Sequence, residues 1–398
     1  MVSSASTGLG FVAALPLLLL SRAHGAILLA SHYTGEIHTL SLSTEDAEAS
    51  LTVTSSTSGC GTLPAWLQWD AATETLYCVD ESWYGSGMAA SFSAGPDGAL
   101  TQTGQATTSG ASVHSTVFGG EDGKGDPSTL TTYKLPLSAD TAVQQQFKFN
   151  LTAPGPNPRQ EAAHPHSSFP DPTGRYLLVP DLGADLIRIF GIDAASGALA
   201  DCGAGQADPG DGPRHGAFWA PNPAASPTDG LTLYTVNELG NSVSAWAVSY
   251  PADADASEGC LTLSKTQTLS TYAEGTTPPA GSKAAEVQVK GNFLYAANRA
   301  DETFGAGQDS LATYAIDAET GEIAWLEATS AHAWYPRTFQ VSAAGDLVAV
   351  GGQTSSNVAV IARDPATGRL GELVANVLVA SPGTAGEEDG LSAVIWLE

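Results

Sequence analysis

The feature that most constrains this chain is a strand–turn–strand phrase that returns with changed wording along its length. Its clearest copy is residues 164–199, HPHSSFPDPTGRYLLVPDLGADLIRIFGIDAASGAL. A short strand leads through a P-T-G turn into an apolar strand at 176–179. A D-L-G-A-D turn, an alternating strand at 186–192 and a D-A-A-S-G turn follow. LTLYTVNELGNSVSAWAVSY (231–250), NFLYAANRADETFGAGQDSLATYAIDAETGEI (292–323) and DLVAVGGQTSSNVAVIARDPATGRL (346–370) repeat it. A repeat of this period points to an array of like units.

Seven apolar strand cores can be picked out, at 27–31, 76–80, 113–118, 176–181, 233–237, 293–298 and 347–351. Each is followed by a turn and an alternating strand: 37–42, 89–92, 130–135, 186–192, 243–248, 311–316 and 358–362. The third unit is the weakest, because GGEDGKGDPS interrupts it. No stretch keeps a 3.6-residue apolar period with caps, so long helices are not expected. Charged residues make up only 14%, with 43 Gly and 23 Pro, which suits many short strands and turns. The expected fold is all-β, a seven-bladed β-propeller over residues 26–398 as one domain. The segment 392–397 would close it by pairing with the N-terminal strand. Two packed β-sandwiches would not explain the repeat.

The balance of 42 Asp and Glu against 15 Lys and Arg gives a net charge of −27, and no Lys or Arg occurs between positions 23 and 123. Such a surface repels nucleic acid and anionic membrane, so neither is expected as a partner. Residues 1–25 read as a signal peptide: the apolar run at 9–20 is short for a bilayer span, and Ala23-His24-Gly25 supplies small cleavage-site residues. A secreted, extracellular protein is therefore expected. Four cysteines suit an oxidising compartment, and pairing in chain order, Cys60–Cys78 and Cys202–Cys260, is the simplest of three connectivities. Asn150-Leu151-Thr152 is a glycosylation acceptor in a secreted chain. The glycine-rich acidic stretch 119–126 reads as a surface turn rather than a calcium loop.

In a propeller the innermost strands line a central channel, so function belongs at matching positions of different blades. Eight arginines follow residue 25. Arg175 and Arg369 sit in T-G-R turns, Arg188 and Arg363 in alternating strands. The other four, Arg159, Arg214, Arg299 and Arg337, fall in channel-facing segments. In so acidic a chain this suggests a local site for a small anionic substrate, with guanidinium forks matched to carboxylate or phosphate. The alternative is that each Arg bridges blades through a carboxylate. His164 and His166 alternate on one strand and are acid/base candidates, and His215 beside Arg214 is a binding candidate. Glu238 and Glu286 are the carboxylates placed to orient a His or take a proton. No third ligand of convincing spacing accompanies the histidines, so neither metal nor cofactor is expected. The serine-elbow, zincin and phosphate-loop motifs are absent from the sequence.

HPH-x5-PTGRYLLVPDLGAD, GPRH, LYTVNEL, AAE-x8-LYAANR and YPRTF resemble the blade signatures of the seven-bladed lactonase family. That family includes 3-carboxy-cis,cis-muconate cyclase and propeller-type 6-phosphogluconolactonases. The resemblance is strongest over about 159–370. It implies a central site of the HPH histidines, with His164 favoured over His166, together with Arg214, Glu238 and Arg299. Arg337, His215, Glu286 and Arg159 would contact substrate. The activity it implies is lactone formation or hydrolysis on a small carboxylated compound, muconate cyclase-like, without a cofactor. Secretion argues against 6-phosphogluconolactone, a cytosolic metabolite. A 6-phosphogluconolactonase-type hydrolase, a non-catalytic secreted glycoprotein or adhesin, and a sugar binder using Trp66, Trp69, Trp83 and Trp334 are the rivals.

Overall fold

The computed structural model describes residues 25–398 apart from 45–47, 84, 119–120, 124–127, 252–258 and 388. Residues 1–24 of the expected signal peptide lie outside the described residues, as do 119–120 and 124–126 of the expected surface turn, whereas Glu121–Gly123 within it form a strand. The chain forms seven four-stranded antiparallel sheets. Taken from the inside outwards, blade two is Pro64–Asp70, Thr75–Asp80, Ser86–Ala94 and Leu100–Ser109. Blade three is Thr116–Phe118, Glu121–Gly123, Thr129–Lys134 and Val143–Lys148. Blade four is Phe169–Pro170, Tyr176–Asp181, Leu186–Ile192 and Leu199–Gln206. Blade five is Pro213–Trp219, Thr232–Asn237, Ser242–Ser249 and Thr262–Ser270. Blade six is Lys283–Val289, Phe293–Arg299, Ser310–Ile316 and Ile323–Ser330. Blade seven is Pro336–Val341, Leu347–Gly352, Asn357–Arg363 and Leu370–Leu378. Blade one joins both ends of the chain: Leu391–Trp396 pairs with Ala26–His32, followed by Glu36–Ser43 and Ser50–Ser58.

The apolar residues form seven clusters, and each lies between two neighbouring blades. Leu178, Ile187, Leu233 and Trp246 pack blade four on blade five, and Ala349, Val358, Leu28 and Leu40 pack blade seven on blade one. The repeated L-Y of the second strands has a structural reason. The hydroxyls of Tyr234 and Tyr295 donate to the Gly321 and Gly368 carbonyls in the next blade's outer turn, each at 2.6 Å. A buried phenol thus packs as a hydrocarbon and still finds its acceptor.

Blade three departs from the sequence reading. Residues 113–118 were expected as the second strand of the unit; the strand there, Thr116–Phe118, is instead the innermost one. The Gly- and Asp-rich segment after it leaves a second strand of three residues, too short for apolar alternation to register. Several inner strands also open with a bulge, between Pro64 and Trp66, Pro213 and His215, Ala284 and Val287, and Pro336 and Thr338. An extra residue there re-aims the side chains beside it.

Candidate active site

In blades two, five and six a polar residue at or next to the end of the second strand makes local hydrogen bonds, and the residue after it lines the cavity. Asp80 accepts from the Leu63 and Ser82 amides at 2.9 and 3.1 Å, and Asn237 donates to Ser242 and Ser244, both at 2.9 Å. Asn298 donates to Ser310 at 3.0 Å. With the first residue of each pair holding the backbone, Glu81, Glu238 and Arg299 are delivered to the wall of a cavity of about 610 Å³. Arg159, His164, His166, Lys283, Tyr335 and Arg337 share that wall.

Glu238 is the hub. Its carboxylate, 2% exposed, receives Arg299 at 2.7 Å and Arg214 at 2.9 Å, and it also pairs with Arg159. Burial alone would raise its pKa; the guanidiniums of Arg299, Arg159 and Arg214 outweigh that and hold it well below the usual carboxylate range. Arg159 arrives on a capped 3-10 turn, Pro158–Gln160, in which the Asn157 side chain accepts from the Arg159 amide at 3.0 Å. Gln160 is fully buried and donates to the Leu182 carbonyl, which anchors the turn over the cavity.

Asp309 organises the opposite rim. Its buried carboxylate accepts the amides of Ala300, Asp301, Glu302 and Tyr335 at 2.7 to 2.9 Å. Three of these residues have left-handed backbone, Ala300 at φ 54°, Glu302 at φ 43° and Tyr335 at φ 62°. An aromatic residue in that region is strained, and here the strain is held beside the site. It sets the Tyr335 ring 5.0 Å from the Arg299 guanidinium. Across the cavity, Tyr33 donates to Glu81 at 2.5 Å and Arg337 approaches the same oxygen at 3.4 Å.

The two HPH histidines separate in depth. His164 lies at the rim, its Nε2 3.0 Å from Glu161. His166 lies deeper, and its ring makes no hydrogen bond to the protein among the described residues. Burial, then the charges of Arg214, His215 and the other arginines, keep its pKa well below 6.5, so the imidazole is neutral at physiological pH. Behind it the rings of His215, His114 and Trp66 close the channel: His166 to His215 is 5.2 Å and Trp66 to His114 4.1 Å between centroids.

The structure therefore brings His166, Glu238, Arg299, Arg337 and Arg159 together, with His164 at the edge. It does not bring Arg214, His215 and Glu286 onto the same wall. Arg214 is 1% exposed and lies behind Glu238, donating to the Ala285 carbonyl at 2.8 Å; it bridges blades instead of facing a ligand. His215 and Glu286 pair at 3.0 Å and face a second cavity, of about 550 Å³, toward the other mouth. The bulge at Arg214 is the physical reason, since it turns consecutive residues to different surroundings. Residues that the sequence reading did not single out are Tyr33, His114, Lys283, Asp309 and Tyr335. For His114 a signal existed: VHSTVF at 113–118 parallels PHSSFP at 165–170. Among the described residues no group of three His, Cys, Asp or Glu side chains is arranged to hold a metal ion.

The cysteines pair as Cys60–Cys78 and Cys202–Cys260, and Asn150 is exposed. The sequence matches the model of the family described as lactonase, 7-bladed beta-propeller, over residues 27–386. The chain belongs to this lactonase family. A protein of Arthroderma benhamiae named probable 6-phosphogluconolactonase is 31% identical over 315 residues, 77% of this chain and 75% of the relative. The 6-phosphogluconolactonase of Bacillus subtilis is 29% identical over 62% of this chain and 64% of its own. Among solved structures, the Pseudomonas aeruginosa periplasmic gluconolactonase superposes with a TM-score of 0.74 at 26% identity, covering 90% of this chain and 98% of that one.

Proposed function

We propose that this lactonase-family chain is a secreted hydrolase of a small sugar-derived lactone, acting in the cavity around His166 without a cofactor. The observation that carries the reading is the charge of that wall. Four cations, Arg159, Lys283, Arg299 and Arg337, face three carboxylates, Glu81, Glu161 and Glu238. A single excess positive charge suits a neutral lactone becoming a mono-anionic hydroxy acid. It suits a tricarboxylate muconate less well, since that ligand needs several uncommitted cations. The names of the relatives, gluconolactonase and 6-phosphogluconolactonase, support the same direction.

The chemistry follows from the groups present. Neutral His166 takes a proton from a water whose oxygen attacks the lactone carbonyl. Arg299 and Arg337 stabilise the oxyanion as it forms in a partly desolvated site. Collapse breaks the bond to the ring oxygen, which recovers the proton from His166. Glu238 keeps the guanidiniums aimed and takes no proton itself, because its pKa is held low. The cyclase reading remains the second one, favoured by a neutral imidazole beside arginines. Two disulfides support export after loss of residues 1–25, with glycosylation at Asn150. We take residues 26–398 as one domain, closed where Leu391–Trp396 meets Ala26–His32.

The test is a pH-stat assay with glucono-δ-lactone and 6-phosphogluconolactone, beside an ultraviolet assay of 3-carboxy-cis,cis-muconate cyclisation. Lactone hydrolysis abolished in His166→Ala is the expected result. Muconate turnover without lactone hydrolysis would replace this reading with the cyclase.

A further inference from the structure

The second cavity, at the mouth opposite the candidate active site, is built for a different ligand. Its wall comes from the inner strands of several blades and includes Trp66, Trp69, Gln68, Gln288, Gln340 and Trp396. No Lys or Arg is among its lining residues, whereas four line the first cavity. Of its two carboxyl groups, Glu398 is tied to the Ala343 amide, and Glu286 is buried against His215. The ligand class this excludes is an anion.

What the cavity does offer is flat aromatic surface and neutral hydrogen-bonding groups. Gln288 and Gln340 occupy related positions in blades six and seven. Each uses its Oε1 to accept an amide of the following blade, Val341 at 3.1 Å and Trp396 at 2.6 Å. That fixes both side chains and leaves each Nε2 without a protein partner among the described residues. The side chains of Trp66 and His215 also line the wall, with Trp66 Nε1 and His215 Nε2 enclosed within the protein. Their rings lie 5.2 Å apart. A volume of about 550 Å³ falls in the range of small-ligand sites.

We propose that this cavity binds a neutral pyranose sugar, separately from the lactone site. The C–H face of the ring would lie against an indole, Trp69 or Trp66, and ring hydroxyls would meet the fixed glutamine amides. The two cavities have His114, Ser167 and Ser168 in common, but this one shares neither Arg299 nor Arg337 with the first.

The experiment is a titration of the full secreted protein with methyl β-D-glucopyranoside, cellobiose and sodium gluconate, followed by tryptophan fluorescence and calorimetry. Saturable binding of either neutral sugar at roughly millimolar concentration, with none of gluconate at this site, is expected. Trp69→Ala and Gln288→Ala should each weaken it about tenfold, while Arg299→Ala leaves it unchanged. Gln288→Ala guards against a Trp69 variant that fails to fold, and circular dichroism checks both. Lack of saturation by both neutral sugars, or binding lost in Arg299→Ala but kept in the two wall variants, would overturn the proposal. Lactone turnover measured on the same variants separates this outcome from failure of the catalytic reading.

Discussion

Arg299 and Glu238 meet through an Nη2–Oε2 contact of 2.7 Å, with side-chain exposures of only 5% and 2%. A carboxylate so enclosed exists as an anion because Arg299, Arg159 and Arg214 are all against it, and Arg299 and Arg214 are themselves buried. Removing it leaves two buried guanidiniums facing each other without compensation. Glu238→Gln should therefore lower the unfolding free energy by about 3–5 kcal/mol in urea titrations. Arg159→Ala breaks a pair whose cation side chain is 48% exposed, and should cost about 0–1 kcal/mol. Equal losses from the two variants would show that the three arginines do not differ as their burial says.

The depth difference between the HPH histidines separates their roles. His166→Ala should reduce kcat on a confirmed lactone by roughly 10²–10⁴, the usual worth of a positioned acid/base. His164→Ala, at the rim against Glu161, should cost less than about tenfold. The rate profile gives a second check. Because burial and the nearby cations depress the His166 pKa, activity should stay level as pH falls through 6.5 and decline only in more acidic solution. A decline centred at or above 6.5 would exclude His166 as the base.

The blades were legible because a strand buried on both faces, followed by a Gly- or Asp-marked turn, leaves a strong local pattern, as at 176–192. Blade three was not, since three-residue strands carry no period. In the site, the arginines stood out by scarcity in an acidic chain, and Glu238 by following a repeated Asn. That Arg214 bridges blades while Arg337 reaches the cavity was invisible. Both sit at bulges, where alternation no longer tells which way a side chain points. The split of His215 and Glu286 from His166 has the same origin. Asp309 was missed because its work is done through backbone amides, which no side-chain motif records.

The disulfides differ in the loops they close, 18 residues for Cys60–Cys78 and 58 for Cys202–Cys260. On chain-entropy grounds their loss should cost about 3 and about 4 kcal/mol respectively. The paired Cys→Ser variants, compared by urea unfolding, test the order. A larger loss from the shorter loop would mean that packing of Cys60 and Cys78 in the core between blades one and two outweighs chain entropy.

Glu286 contributes a distinct pH dependence to stability. Burial raises its pKa to about 8, against the opposing pull of Arg214 and of the Val287 amide. The unfolded chain loses that proton near 4.5, so between about pH 4.5 and 8 the folded state binds more protons than the unfolded one. Stability from this group accordingly falls as pH rises through that window and is constant above it. His215, whose pKa burial and Arg214 hold well below 6.5, acts oppositely: its contribution is full above 6.5 and is lost as pH drops below. Glu286→Gln keeps a hydrogen-bonding side chain beside His215 but cannot ionise. The difference in unfolding free energy, variant minus wild type, should therefore grow by a few kcal/mol at most between pH 5 and 8.5, then level off. A difference that does not change with pH would mean that Glu286 is already ionised in the folded protein, held as a carboxylate against a protonated His215.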